Sequence, residues 1–371
     1  MGLSVLVVGG GIAGLAHAVA ARRAGHEAEV LEVRPGWEAA GWGLSLTGPA
    51  LRALRTLDLA DACAEAGHPV HRTVHCDAEG VVRAVVEPPS VLGPGEPVEV
   101  GIGRPALHRI LREAAAGLGA TLRTGVSVAS LCHEDGQVTA RLSDGSARTP
   151  DYVVGADGVR SRTRAQLGLD VEPRYAGQMV WRALVERPDW ASDVHVFAGA
   201  SGTTGVIPIS ARQAYVFLTE SAVEARPAPE SELARRMRDL LAPFGGRFAD
   251  VRDTITDPAQ VVRRPVHTLF LTGPWHAGLG VLAGDSAHAP SPQMVSGAAL
   301  AIEDAVVLAA EVTARPDALP EAFEAYQRRR HERARAVVET SVEIGRRERQ
   351  GRHDEVRALH QSGHAAMAAP I

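Results

Sequence analysis

Three glycines at 9, 11 and 14 follow an apolar run and precede an Ala-rich stretch of helical spacing. That is GxGxxG where a strand turns into a helix. The first glycine permits a tight turn. The second, lacking Cβ, lets a pyrophosphate approach the backbone, and the third lets helix and strand pack closely. The helix N-terminus offers free N–H groups and the positive end of its dipole to a phosphate. Glu32 ends the next strand, where a carboxylate can accept ribose hydroxyls. Gly9, Gly11, Gly14 and Glu32 therefore point to a dinucleotide, with FAD and NAD both compatible.

Two later stretches also carry chemistry. Asp157-Gly158 follows a buried strand, with Ser161 and Arg164 behind it. Gly284-Asp285-Ser286-Ala287-His288 follows another. Other residues have blander readings. His288 reads as a packed, hydrogen-bonded histidine, and Glu303 and Asp304 as polar helix groups. Cys63, Cys76 and Cys132 read as buried free thiols, with no CxxC among them. No HExxH pattern suggests a metal, and no GxSxG suggests a hydrolase. The chain has no lysine, so Schiff-base and P-loop chemistry are excluded.

The elements that position these residues follow from periodicity. Leu3–Val8, Ile12–Ala24 and Ala28–Leu31 read as one βαβ unit. Helices are expected at 51–59, 105–118, 231–241 and 297–312. From about Val171 to Leu271 short alternating runs separated by Gly, Pro and Ser predict a mostly antiparallel sheet. Beyond Pro320 the chain reads as helical. Its arginine runs at 328–330 and 346–349 are interleaved with Glu and read as a solvated face, and its tail after Ser362 reads as frayed. The 371 residues suggest about two domains. The net charge of −5 argues against nucleic acid. No apolar stretch reaches the ~20 residues of a membrane span. A soluble cytoplasmic protein, monomer or homodimer, is the expectation.

Four segments resemble the FAD-dependent aromatic hydroxylase family of single-component flavoprotein monooxygenases, whose type member acts on para-hydroxybenzoate. They are VVGGGIAGL (7–15), GIGRPALHRIL (101–111), DYVVGADGVRSRTR (151–164) and GVLAGDSAHAPSPQMVSGAALAIEDA (280–305). The resemblance implies an α/β fold: a Rossmann-like FAD-binding domain (1–70, 100–170, 272–320), an inserted mostly antiparallel β-sheet substrate domain (71–99, 171–271) and C-terminal helices (321–371). It implies FAD as cofactor, with NADH or NADPH as transient electron donor. O₂ and a small aromatic molecule would be the substrates, hydroxylated through a flavin C4a-hydroperoxide.

Carried over onto this sequence, the resemblance places Asp285 and Arg104 at the cofactor and ties Asp157 to FAD or NAD(P)H. It puts Pro292 over the flavin ring and the backbone of Gly297, Ala298 and Ala299 at the flavin N1/O2 edge. The family's Gly-Gln-Gly-x-Asn is here Val295-Ser296-Gly297-Ala298-Ala299, and the usual Glu-Arg pair is Glu32-Val33, with Arg34 one place on. Substrate contacts are expected from Arg182, His195, Tyr215 and Pro292, with Gln293 and Met294 beside them. Baeyer–Villiger, epoxidising or reductive chemistry on the same fold, or a non-enzymatic redox sensor, are the competing readings. A flavin halogenase is disfavoured because those enzymes use an active-site lysine.

Overall fold

The computed structural model describes residues 2–37, 41–199 and 202–371, without the side chains of 353 and 354. The chain opens with β1 (Ser4–Val8), α1 (Ile12–Arg23) and β2 (Glu27–Glu32). Next come β3 (Gly43–Thr47), α2 (Gly48–Thr56), α3 (Ala60–Ala66), β4 (His68–Val70), β5 (Thr73–Asp77) and β6 (Val82–Val86). β7 (Glu99–Gly103) leads into α4 (Arg104–Gly117) and β8 (Thr121–Thr124). A meander of β9 (Val128–Glu134), β10 (Gln137–Leu142) and β11 (Ala147–Arg148) precedes β12 (Tyr152–Gly155) and α5 (Arg162–Gln166).

The second half begins with β13 (Arg174–Glu186), β14 (Val194–Gly199), β15 (Gly202–Pro208) and β16 (Gln213–Ser221). After α6 (Leu233–Leu241) and α7 (Arg247–Asp253), β17 (Val261–Phe270) returns to the same sheet. The chain ends with β18 (His276–Ala277), β19 (Gly280–Leu282), β20 (His288–Ala289), α8 (Gly297–Ala314), α9 (Leu319–Arg349) and α10 (His353–Ala368).

Among the described residues, the first sheet runs β18-β19-β12-β1-β2-β8. Its strands are parallel except for the β18–β19 hairpin. Alternation splits the strands between two cores. Val5, Val7, Val30 and Val154 join the core that contains α1 and α8. Leu6, Val8, Leu31 and Val153 pack under the β9–β11 meander. α1 lies between sheet and α8, which is why it is apolar nearly all round.

The other large sheet has the order β20-β17-β13-β16-β15-β14-β5-β6. Trp181, Ala183, Val216, Leu218 and Phe197 point to its back, where Met237, Leu241, Phe244 and Phe248 of the α6–α7 region cover them. Tyr215, Ile207 and Val194 point to the front, onto Val70 and Trp42. A small sheet, β3-β7-β4, stands against that front.

Three expectations are corrected. Cys132 is exposed, because it lies on the outer meander, while Cys63 and Cys76 are buried. Arg330 is not on a solvated face. It is fully buried, with Nη2 2.8 Å from Glu303 and Nε 2.8 Å from Asp304. Nor is the C-terminus frayed. α10 buries Met367, and Arg333 and Arg52 donate to the carbonyls of Ala366, Met367, Ala368 and Ala369. These carbonyls end a helix, where no later N–H remains to satisfy them.

Arg330→Ala would leave Glu303 and Asp304 buried and short of a counter-charge. A loss of about 3–5 kcal/mol is expected, read from urea unfolding of the purified variant against wild type.

Candidate FAD and substrate site

The glycine turn is built by close approach. Gly9 has φ +112°, and a Cβ there would lie 2.3 Å from the Ala156 carbonyl oxygen. A Cβ on Gly14 would lie 2.0 Å from the Gly9 carbonyl oxygen. Gly11 differs, since a Cβ there would meet nothing within 4 Å. It faces open space at the mouth of α1, which a phosphate group could enter. Glu32 braces the turn. Its Oε2 accepts from Gly10 N (3.0 Å) and its Oε1 from Arg34 N (3.0 Å). A carboxylate has about four acceptor positions, so it retains capacity for hydroxyls. From α4, the His108 ring donates to the Gly10 carbonyl (2.7 Å).

Arg104 and Asp285 approach one another from two different loops. Arg104 starts α4 directly after β7, and its N–H donates to the Trp42 carbonyl (3.0 Å). Asp285 follows Gly284, whose φ of +61° lets the loop reverse and brings it against Ala13 of α1. Both side chains are solvent-accessible although protein surrounds them, which marks the wall of a deep open cleft. Burial raises the Asp285 carboxyl above its ordinary value, while His288 and Arg104 pull it back in part. Burial lowers the Arg104 guanidinium and Asp285 opposes that.

The loop that carries Asp285 is held from behind by Asp304 of α8. Asp304 Oδ2 accepts from Gly284 N (2.8 Å) and from His288 Nε2 (2.7 Å), and Oδ1 accepts from Arg330. Burial alone would raise the Asp304 carboxyl, but His288 and Arg330 hold it well below the carboxylate range. Asp157 acts on the same loop from the other side. Its oxygens accept from Arg162 N, Thr163 N, Thr163 Oγ1 and Ser161 Oγ, and Ser286 Oγ stands 3.4 Å away. Arg164 Nη1 donates to the Ser286 carbonyl (3.0 Å). The carboxylate of Asp157 thus caps α5 and ties two loops together.

Pro292 is half-buried in the turn before α8. Val295 ends that turn at φ 51° and ψ 24°, a left-handed conformation that a β-branched residue rarely adopts. It stands where the resembling family has glycine. Gly297, Ala298 and Ala299 then form the first turn of α8, whose N–H groups have no intrahelical partner.

Register decides which sheet residues face the cleft. Leu184 is opposite Tyr215, Tyr215 opposite Ile207, and Arg182 opposite Phe217. These are front-face pairs. His195 is opposite Val206, and Val206 opposite Val216, both back-core residues. His195 is therefore corrected. It packs edge-on to Trp190 (4.9 Å between centroids) with Nδ1 3.0 Å from the Asp193 carbonyl, away from the cleft. A shift of one residue along a strand exchanges the two faces. Met294 is also buried in the core, and Gln293 is tied to Gln178 (3.0 Å).

Besides Arg182, the site holds polar groups that the sequence did not single out. Trp42 Nε1, Thr47 Oγ1 and Arg182 Nε are buried without a hydrogen-bond partner. Glu99 and Ser45 lie on the face of β3 and β7 that meets the eight-stranded sheet. Glycines allow this contact: a Cβ on Gly43 would lie 2.5 Å from the Tyr215 ring and one on Gly101 1.9 Å from the Pro208 carbonyl oxygen. The available signal was the alternation Glu99, Gly101, Gly103 leading into Arg104.

Residues 2–341 match the FAD binding domain family. The chain belongs to the FAD-dependent monooxygenase family. The monooxygenase is 35% identical over 364 residues to aurachin C monooxygenase/isomerase of Stigmatella aurantiaca, covering 93% of this chain and 89% of that one. It is 32% identical over 352 residues to 2-heptyl-3-hydroxy-4(1H)-quinolone synthase of Pseudomonas aeruginosa, with 93% and 89% covered. Its fold matches a crystal structure of Klebsiella pneumoniae HpxO complexed with FAD and uric acid. The TM-score is 0.87 at 22% identity, covering 99% of this chain and 97% of that one. The cofactor of this monooxygenase is FAD. Among the described residues, no helix is long and apolar enough to cross a membrane.

Two glycine substitutions separate cofactor binding from folding. Gly11→Ala is expected to keep the wild-type melting temperature but weaken FAD at least tenfold in a flavin fluorescence titration. Gly14→Ala should destabilise the fold itself, because its Cβ meets backbone. Val295→Gly should stabilise the protein by about 1 kcal/mol in thermal unfolding, by releasing the left-handed strain.

Proposed function

We propose that the protein uses NADH or NADPH and O₂ to hydroxylate an electron-rich aromatic or heteroaromatic small molecule. The molecule would bind between the flavin and the front face of the eight-stranded sheet. The observation that carries this reading is the set of buried, unpartnered polar atoms where the small sheet meets the front of the large one, Arg182 Nε, Trp42 Nε1 and Thr47 Oγ1. Buried polar groups without partners are costly, and a polar aromatic ligand in the cleft would satisfy them. Relatives of similar length include 3-amino-4-hydroxybenzoate 2-monooxygenase of Streptomyces cremeus, 30% identical over 352 residues, which supports an aromatic substrate.

The chemistry that bound FAD supplies is two-electron exchange with a nicotinamide and activation of O₂. The chain's residues would do the rest. Gly9, Gly11 and Gly14 admit the pyrophosphate to the α1 N-terminus, and Glu32 accepts the ribose hydroxyls. Arg104 and Asp285 hold the middle of the cofactor, with Asp157 fixing the Asp285 loop. The N-terminus of α8, at Gly297, Ala298 and Ala299, favours the negative charge of a reduced ring, and Pro292 borders that ring. Arg182 and Tyr215 orient the substrate. The sequence has a single dinucleotide fingerprint, which supports transient binding of the nicotinamide.

Purified protein should be yellow and release FAD on denaturation. A phenol and quinolone panel should include compounds that stimulate NAD(P)H oxidation and gain one oxygen atom by mass spectrometry. Asp285→Ala should lower FAD occupancy. Arg182→Ala and Tyr215→Phe should leave FAD content intact but raise KM about tenfold or uncouple NAD(P)H oxidation from product. Hydrogen peroxide with every compound, and no oxygenated product, would overturn the reading.

A further inference from the structure

One transverse row of the eight-stranded sheet can be read straight from the pairing. Arg182 of β13 is opposite Phe217 of β16, Phe217 opposite Gly205 of β15, Gly205 opposite Val196 of β14, and Val196 opposite His75 of β5. Directly opposed residues share a face, so the whole row lies on the front. The neighbours of His75 along its strand, Val74 and Cys76, belong to the back core. One pleat away, Tyr215, Ile207 and Val194 are buried with Val70 of the small sheet. Phe217 and Val196 are only half-buried, and His75 is exposed. The row is thus an open floor. Arg182 and His75 stand at its two ends, four strands or about 19 Å apart between backbones. The residues between them offer no polar side chain, and the Phe217 ring lies over Gly205, where a Cβ would meet it at 2.5 Å.

α10 brings two more histidines to the His75 end. His360 and His364 are four residues apart, so they share a helix face, and their rings stack with centroids 6.0 Å apart. Gly363, between them in the chain, packs on the turn that carries Pro292: a Cβ there would lie 2.5 Å from Met294 Cε. The same stretch of α10 therefore touches the Pro292 turn and reaches toward β5, where His75 lies within electrostatic range of His360 and Arg357.

Among the described residues, none of the three rings has a hydrogen-bond partner in the protein. All three are accessible to solvent although protein surrounds them. The charges that act on them are of one sign. Arg357 acts on His75, and His364 and His75 act on His360. The acids nearby are engaged elsewhere. Asp77, two residues along β5, accepts from Val81 N and Arg83, and Glu355 of α10 pairs with Arg347 and Arg352.

We propose that His75, His360 and His364 close the far end of the substrate site and bind a carboxylate that the substrate carries on an apolar arm, away from its reacting ring. The position of the ring rests on the hydroxylase reading above, and the acid site rests on the cluster itself. Phe217, Gly205 and Val196 form the floor under the arm. The carboxylate accepts from the unpartnered imidazole N–H groups, and Arg357 adds positive charge beside them. Burial lowers all three imidazoles, and repulsion from His364 and His75 helps to bring His360 down to about 4. An anion among them removes that repulsion.

The test is calorimetric titration of the FAD-loaded protein with 4-hydroxyphenylalkanoic acids, from the acetic to the octanoic, and with their methyl esters. Short acids should bind no better than their esters. Once the arm spans the floor, the acid should bind about tenfold tighter than its ester. H360A and H364A should reduce that preference to about twofold or less, and H75Q, which keeps a donor, should retain part of it. H364E should reverse it, so that the ester binds better than the acid. FAD content and melting temperature should match wild type in each variant, because these rings hold no other part of the protein.

Equal affinity for acid and ester at every arm length, or a preference that survives in H360A and H364A, overturns the proposal. Binding is read without turnover, so the two readings fail separately. A long acid that binds through the histidines while no compound stimulates NAD(P)H oxidation removes the hydroxylase reading and leaves the acid site. Phenols that are oxygenated with no preference for an acid arm remove the acid site alone.

Discussion

The structure depends on a buried cluster of charges in which Arg330 of α9 meets Glu303 and Asp304 of α8. Adjacent on one helix, the two acids divide the work. Asp304 turns toward the Gly284 loop and His288, and Glu303 turns toward Arg333, whose other donors hold the chain end. Ion pairs of this kind add little net stability over apolar packing. Their value here is directional. An apolar residue at Asp304 could fill the space, but it could not receive the Gly284 N–H and fix where Asp285 emerges. One charged knot thereby sets the position of the cleft wall, the start of the last helices and the course of the terminus.

Around that knot the site divides into two kinds of wall. The proposed cofactor wall is made of backbone approach and bonded loops, with Ser286 linked to both Asp157 and Arg164. The proposed substrate wall is made of side chains from two sheets that face each other, and several of its polar atoms have no protein partner. The first arrangement specifies one ligand closely. The second leaves hydrogen-bonding capacity for a molecule that differs from one relative to the next.

The glycine turn and the strands and helices around it were legible in the sequence, because their signals are local. A glycine before a helix, or an acid after a strand, carries its meaning within a few residues. Asp157 is instructive: its position was legible, while its engagement with Ser286 joins residues far apart in the chain. The substrate wall was harder to read. His195 and Tyr215 look equivalent in a list of strand residues, and only the pairing register sends one to the back core and the other to the cleft. Glu99 was passed over because β7 pairs with β3 and β4 across long separations, so nothing nearby shows that its face meets Tyr215. Arg330 looked like one more solvated arginine, since its buried acids lie on another helix.

The two-sided sheet has a consequence for how such enzymes can change. On β13, β14 and β16, neighbouring residues answer to different demands. One set of alternate residues rests on the α6–α7 side, where packing penalises any change of volume. The set between them faces the front, where a new side chain alters what fits without disturbing the layer behind. Drift toward a new ligand can therefore accumulate at every second position of these strands. A lineage can exchange its ligand while its scaffold stays still.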